Sequence, residues 1–200
     1  MDELDIINDM LAAVGSNGVT STVGRHPALM KARPILDRTH EAVQARGHWF
    51  NRDVGLTLSA TVDGEIFVPQ NTIKCDTTEK RLRYVRRGRR MYDPHNHTYQ
   101  LDVTSLEVDV VLKLDYDLLP FSVLDYIRAK AVMQMLVKAE ADHISVQAAQ
   151  ADLQDTKIAF ENERRQQADT SLRDNPEYAA IMSGLPRMYM RSTNPNNIGG

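Results

Sequence analysis

Cysteine is nearly absent. Cys75 is the only one in 200 residues, so an internal disulfide and a zinc site built on several thiolates are both excluded. A chain of this length removes roughly 70% of its unfolded surface from water on folding and needs neither disulfides nor metal to do so. Cys75 itself reads as a small apolar residue beside a strand. Long apolar runs are also missing, and no stretch has the length needed to span a bilayer. Basic excess is missing too. Acids number 27 against 24 Lys and Arg, for a net charge of -3, so no global field calls for nucleic acid or anionic lipid. The opening residues, MDELDIINDML, are acidic and amphipathic, the reverse of a secretory signal. The expected setting is a reducing cytoplasm, or a larger particle assembled there. Finally, GxxxxGK, HExxH, GxSxG and a glycine-rich dinucleotide turn are all absent, which lowers the standing of an enzyme without excluding one.

What is present has two periods. Leu4, Ile7, Met10, Leu11 and Val14 recur at helical spacing, with Asp2, Glu3 and Asp5 at the positive end and Gly15 as the stop, so the first helix spans Asp2 to Val14. A second helix lies between Ala28 and Arg46, closed by Gly47. Pro34 either starts it or kinks it. The period then becomes two. Leu56 to Val62 alternates, Asp63-Gly64 signals a hairpin, and Glu65 to Val68 returns. A further hairpin joins Leu82–Arg86 to Arg89–Tyr92 around Arg87-Gly88, and strands follow at His97–Val103 and Leu106–Leu114. Helical spacing resumes at Phe121 to Lys138, then in a polar helix from Ser145 to about Ala168. That helix carries only a thin stripe of Val146, Ala149, Leu153 and Phe160, which suits the rim of a bundle. The expected fold is α+β: a four-helix bundle (1–50 and 119–170), a small antiparallel β domain inserted between helices two and three (51–118), and an extended C-terminal arm (171–200). Pro186, Pro195, Asn194, Asn196, Asn197, Gly199 and Gly200 argue for the arm.

Charge is clustered. From Lys80 to Arg90 there are seven bases and no acid: Lys80, Arg81, Arg83, Arg86, Arg87, Arg89 and Arg90. Three readings stand: a phosphate-contacting DNA module, a dock for an acidic protein partner, or a solvated β-edge kept from aggregating by its charges. Downstream, Asp102, Glu107, Asp109, Asp115, Asp117 and Asp125 face one base, Lys113. The two clusters can satisfy each other within a subunit, or between neighbours in a head-to-tail ring. Asp93, His95 and His97 are a weak metal candidate, since no spaced set completes a site. Paired acids in the β region would suit a cell-wall or polysaccharide hydrolase, but any acid-rich chain offers such pairs. No catalytic, metal or cofactor residue is assigned. Trp49 and Phe50 read as a hydrophobic plug where helices meet strands. In the arm, Tyr178, Ile181, Met182, Leu185, Met188 and Tyr189 are too many apolar groups for a solvent tail, and suit a segment that orders on a partner.

Several strings, in order, carry a resemblance: Arg46-Gly47-His48-Trp49-Phe50-Asn51, Gly64-Glu65-Ile66-Phe67-Val68-Pro69, Arg87-Gly88-Arg89-Arg90-Met91-Tyr92-Asp93, Asn96-His97-Thr98-Tyr99, Val108-Asp109-Val110-Val111, Leu119-Pro120 and Tyr126-Ile127. From Leu4 to Glu163 the chain resembles the tail tubular protein A family, the head-to-tail adaptor of short-tailed bacteriophages. The resemblance implies a virion structural subunit. It sits in a ring, commonly of twelve copies, below the portal protein. The ring receives the nozzle (tail tubular protein B), helps form the fibre attachment site and passes genomic DNA through its lumen. It implies no cofactor and no membrane. The run Arg86–Arg90 is more basic than that pattern, and the segment after Ser171 falls outside it.

Overall fold

The computed structural model describes residues 1–24, 26–79, 81 and 83–173, with side chains followed to residue 168. Two helices come first: α1 (Glu3–Ala13) and α2 (Pro27–Gln44). The strands β1 (Arg52–Ser59), β2 (Thr72–Thr77), β3 (Val85–Arg87), β4 (Arg90–Tyr92) and β5 (Ser105–Leu112) follow, then a 3-10 turn at Tyr116–Leu118. The helices α3 (Phe121–Lys138) and α4 (His143–Arg173) complete the order. The fold is mixed α+β, as the change of period implies. The arm beyond residue 173 lies outside the described residues.

Local chemistry sets the helix ends. Asp2 accepts from the Asp5 N–H and Asp5 accepts from the Asp2 N–H, both at 2.9 Å, a reciprocal capping box at α1. His26 caps α2, its Nδ1 accepting from the Ala28 N–H, and Pro27 opens the first turn. The helix neither starts nor stops at Pro34 but runs through it. Pro34 is exposed while Ile35 and Leu36 are buried, so apolar burial holds the turn whose backbone donor proline lacks. Asp142 caps α4 through the Ser145 N–H and hydroxyl, and sets its start two residues before the expected Ser145.

One buried cluster belongs to the helices. Ile6, Ile7, Met10 and Leu11 of α1 and Leu29, Ala32, Ile35, Leu36 and Val43 of α2 meet α3. α3 is central and packs against α1, α2 and α4; Val123, Tyr126, Ile127, Ala129 and Val132 are buried around its circumference. α4 contributes chiefly Ala149 and Phe160, with Val146 and Leu153 half-buried, as its thin stripe implies. A second cluster belongs to the strands: Ile66, Val68, Met91, Leu101, Leu106, Val108 and Val110.

The main sheet has the order β1-β5-β2, both pairings antiparallel, and β3-β4 is a separate two-stranded hairpin. β5 alternates as expected, Leu106, Val108 and Val110 inward. Four details differ from expectation. Glu65–Val68 does not return as a strand: Ile66 and Phe67 form only isolated bridges, to Ala60 and Arg90, and β1 pairs with β5 instead. β1 begins at Arg52 rather than Leu56, because a bulge between Asp53 and Leu56 interrupts the two-residue period; Gly55 sits there at φ +71°. β2 had no clear signal, since only Ile73 and Cys75 interrupt its polar residues. His97–Val103 is not a strand. Asp93 draws the chain into a turn by accepting from the His95 and Asn96 N–H groups at 2.8 and 3.2 Å, and only a bridge from Asp93 to Thr98 follows.

The two clusters are joined by a polar clasp. The Gln44 side chain donates to the Leu114 carbonyl at 3.0 Å and accepts from the Leu114 N–H at 2.8 Å. Asn51 donates to the Gln44 and Leu112 carbonyls at 3.0 and 2.8 Å and accepts from the His48 N–H. These amides tie the end of α2 to the end of β5. His48 and Trp49 pack beside them against Phe160, which stacks on Tyr126 at 5.4 Å, and Phe50 packs on His48 and Trp49. Trp49 and Phe50 are half-buried against the helical core, so they form the expected plug.

Candidate assembly surfaces

The basic run folds into the β3-β4 hairpin and the segment before it. Its arginines have different surroundings. Arg86 is half-buried and donates to the Thr72 and Ile73 carbonyls at 2.7 and 2.8 Å. It thereby occupies the edge of β2, the position where an unpaired strand would invite another chain. Arg90 pairs with Glu65 at 2.6 Å and lies over the Tyr99 ring at 4.1 Å; Arg87 lies over the Tyr92 ring at 3.6 Å. Arg81, Arg83 and Arg89 are exposed. Six of the seven bases thus separate into three that brace the hairpin, Arg86, Arg87 and Arg90, and three that are exposed, Arg81, Arg83 and Arg89; Lys80 lies outside the described residues.

The acids separate as well. Asp109 pairs with Arg52 at 2.8 Å and accepts from the Gly55 N–H; Arg52 first, and Gly55 second, hold its carboxyl below the usual range. Glu107 is exposed on the same outer sheet face. Asp125 pairs with Arg128, which also reaches Asp152. Asp102 is exposed near Tyr84, whose hydroxyl is pushed up mainly by burial. Asp115 and Asp117 are exposed at the 3-10 turn, where Asp115 joins Asp37 and Glu41 of α2 around His40. Asp37 and Glu41 were missed in the sequence. The signal was available: two acids at i and i+4 share one helix face and repel unless something beyond the helix answers them. Among the described residues, the ion pairs do not join the basic run to the acidic one.

Other titratable groups have bland surroundings. Burial, assisted by Lys113, pulls His40 down to about 4; it stacks on Tyr116 at 4.3 Å and accepts from Gln44. Cys75 is half-buried and its thiol is pushed up to about 11 by burial, the reverse of a reactive thiolate. Asp93 is spent on its turn, and among the described residues no group of three His, Cys, Asp or Glu could hold a metal. No described helix is long and apolar enough to cross a membrane.

The family model described as tail tubular protein matches residues 4–170. This chain belongs to the tail tubular protein family. Tail tubular protein A of Klebsiella phage KP34 is 32% identical to it over 120 residues, 60% of this chain and 63% of the relative. The aligned stretch therefore spans less than two thirds of that relative. A tail tubular protein is a structural component of a phage tail, and the chain is a virion tail component in that sense. The family match takes in both buried clusters, the clasp and the hairpin, and stops just short of the end of α4. The arm candidates Tyr178, Ile181, Met182, Leu185, Met188 and Tyr189 lie outside the family match and outside the described residues.

Proposed function

We propose that this tail tubular protein is a non-enzymatic adaptor subunit. Copies of it form a closed ring, of twelve by resemblance, that joins the portal to the nozzle protein, carries a fibre attachment site and forms part of the DNA ejection channel. Residues 1–50 and 119–170 act as a helical bundle and 51–118 as an inserted β domain, with the clasp at Gln44 and Asn51 fixing the two together.

The observation that carries the reading is the separation of unanswered charge. Exposed Arg81, Arg83 and Arg89 belong to the β3-β4 hairpin and the segment before it, while exposed Asp115 and Asp117 of the 3-10 turn lie beside exposed Asp37 and Glu41 of α2. Two different faces of opposite sign suit a heterologous contact, in which one surface of a copy meets another surface of the next and rotation closes the ring. A net charge of -3 per chain suits a lumen through which DNA must slide, because a ring of acidic subunits releases few counterions from it.

Exposed pairs contribute only about 0–1 kcal/mol each, so a single change is uninformative. Reversing Arg81, Arg83 and Arg89 together to Glu is expected to abolish or weaken assembly without altering the thermal midpoint. Native mass and nozzle pull-down check this; unchanged assembly in both contradicts the proposed contact.

A further inference from the structure

The far end of the helical part holds a cleft of about 920 Å³. It lies where the end of α1, the start of α2 and the end of α3 converge. Leu11, Val14, Met30, Ile35 and Met135 give it an apolar floor and walls. Met30 is exposed at 68%, an unusual setting for a large apolar residue unless something covers it. The rim is basic: among the described residues Lys31 and Lys138 line it and no acid does. The first turn of α2 opens onto it through His26, Pro27 and Ala28 and also carries no acid. The positive end of that helix dipole adds to the two lysines. The cleft therefore suits an apolar segment preceded or flanked by carboxylates.

The chain supplies one such segment. Residues 174–185 read DNPEYAAIMSGL, with Asp174 and Glu177, no base, and then Tyr178, Ile181, Met182 and Leu185. Its own subunit's cleft is out of reach of Tyr178, Ile181 and Met182. α3 and α4 run antiparallel, since Ser122 donates to Glu163 and Arg128 pairs with Asp152, so the cleft lies beside the start of α4. α4 then runs 31 residues, which places its far end roughly 40–46 Å from the cleft's end of the bundle. From Arg173, Met182 is nine residues on, at most about 32 Å even fully extended. Tyr178 and Ile181 reach less far still. The segment and the cleft match in polarity and charge, and Tyr178, Ile181 and Met182 cannot enter the cleft of their own chain; of the apolar set only Leu185, twelve residues beyond Arg173, comes within about 43 Å when fully extended.

We infer that the cleft between α1, α2 and α3 receives residues 174–185 of a second copy of this chain. Each copy gives its arm to one neighbour and accepts the arm of another, a strap that links successive subunits independently of the charged faces. This rests on the reading of the chain as a multi-copy ring subunit.

The test uses two full-length variants, Met30→Cys and Ile181→Cys, mixed with portal protein and oxidised mildly. Met30 is exposed, and urea unfolding of each variant checks that it folds as the parent does. The expected product is a reducible species of two chains, one of each variant, absent when either new cysteine is missing. Combining Lys31→Glu with Lys138→Glu weakens this capture roughly five- to thirtyfold, as two exposed attractions turned repulsive would. Asp174→Lys with Glu177→Lys on the partner restores it, a rescue that a merely structural role would not give. Rings of normal native mass without the link overturn the strap and leave the ring standing. In a chain that carries both changes, a link that forms only within that chain overturns the strap, as does a link to portal protein instead. Failure to form any multi-subunit species overturns both the strap and the ring.

Discussion

At the scale of single residues, identical side chains do different things because their surroundings differ. Arg86 and Arg89 are three positions apart in one basic run. Arg86 supplies two charged hydrogen bonds to the carbonyls of β2, and Arg89 points to solvent. Arg86→Ala is expected to cost roughly 1.5–3 kcal/mol, and Arg89→Ala to stay within about 0.5 kcal/mol, measured by urea unfolding. Equal costs would contradict the assigned roles. His40 supplies a second residue-scale expectation. Its folded value of about 4 lies below the ordinary 6.5, so between these values the unfolded chain binds the proton and the folded chain does not. Stability is therefore complete above about pH 6.5 and falls as pH drops toward 4, by on the order of 3 kcal/mol. His48, lowered mainly by burial, adds in the same direction. His40→Phe keeps a ring beside Tyr116, leaves a Gln44 donor short of a partner, and should flatten the thermal midpoint between pH 6.5 and 4. An unchanged slope would remove His40 as its source. None of this was legible in the sequence, because the burial of His40 and its stacking on Tyr116 come from α2 packing beside the distant 3-10 turn.

At the scale of elements, legibility followed the source of order. α1 and β5 bury a face of their own, and α3 is apolar around its circumference at helical spacing, so local pattern alone located them. α2 was ambiguous at Pro34 because the burial of Ile35 and Leu36, which carries the helix past it, is a tertiary effect. β2 was invisible because its pairing with β5 and the Arg86 brace come from distant sequence. The hairpin at Arg87-Gly88 was legible because glycine at a two-residue turn is a local requirement. The expected strand at His97–Val103 lost to side-chain bonding by Asp93, which competes with the ladder for backbone donors. The joint between α2 and β1 turns on Gly47, at φ +73°, where an added Cβ would meet Val111 Cγ2 at 2.9 Å. Gly47→Ala combines a left-handed backbone with that overlap and should cost about 1–3 kcal/mol. A neutral result in chemical unfolding would mean that the joint is not tightly packed.

At the scale of the whole molecule, the candidate sites divided by range. The basic and acidic runs were plain in the sequence, but which members remain free required the fold, because Arg86, Arg90 and Asp109 are engaged by residues 14, 25 and 57 positions away. The acidic surface gained Asp37 and Glu41, which only the packing of α2 beside the 3-10 turn brings to Asp115. The cleft had no sequence signature at all, since three separate helix ends build it. Among the described residues these features amount to exposed patches of opposite sign and an apolar cleft with a basic rim. The most direct measurement is the native mass of the full-length protein, alone and with its portal protein. A subunit of an adaptor ring is expected to move from its 22.6 kDa chain mass into a discrete multi-copy complex, at the latest when portal is present. A single chain that stays at its monomer mass in both mixtures would contradict the adaptor reading.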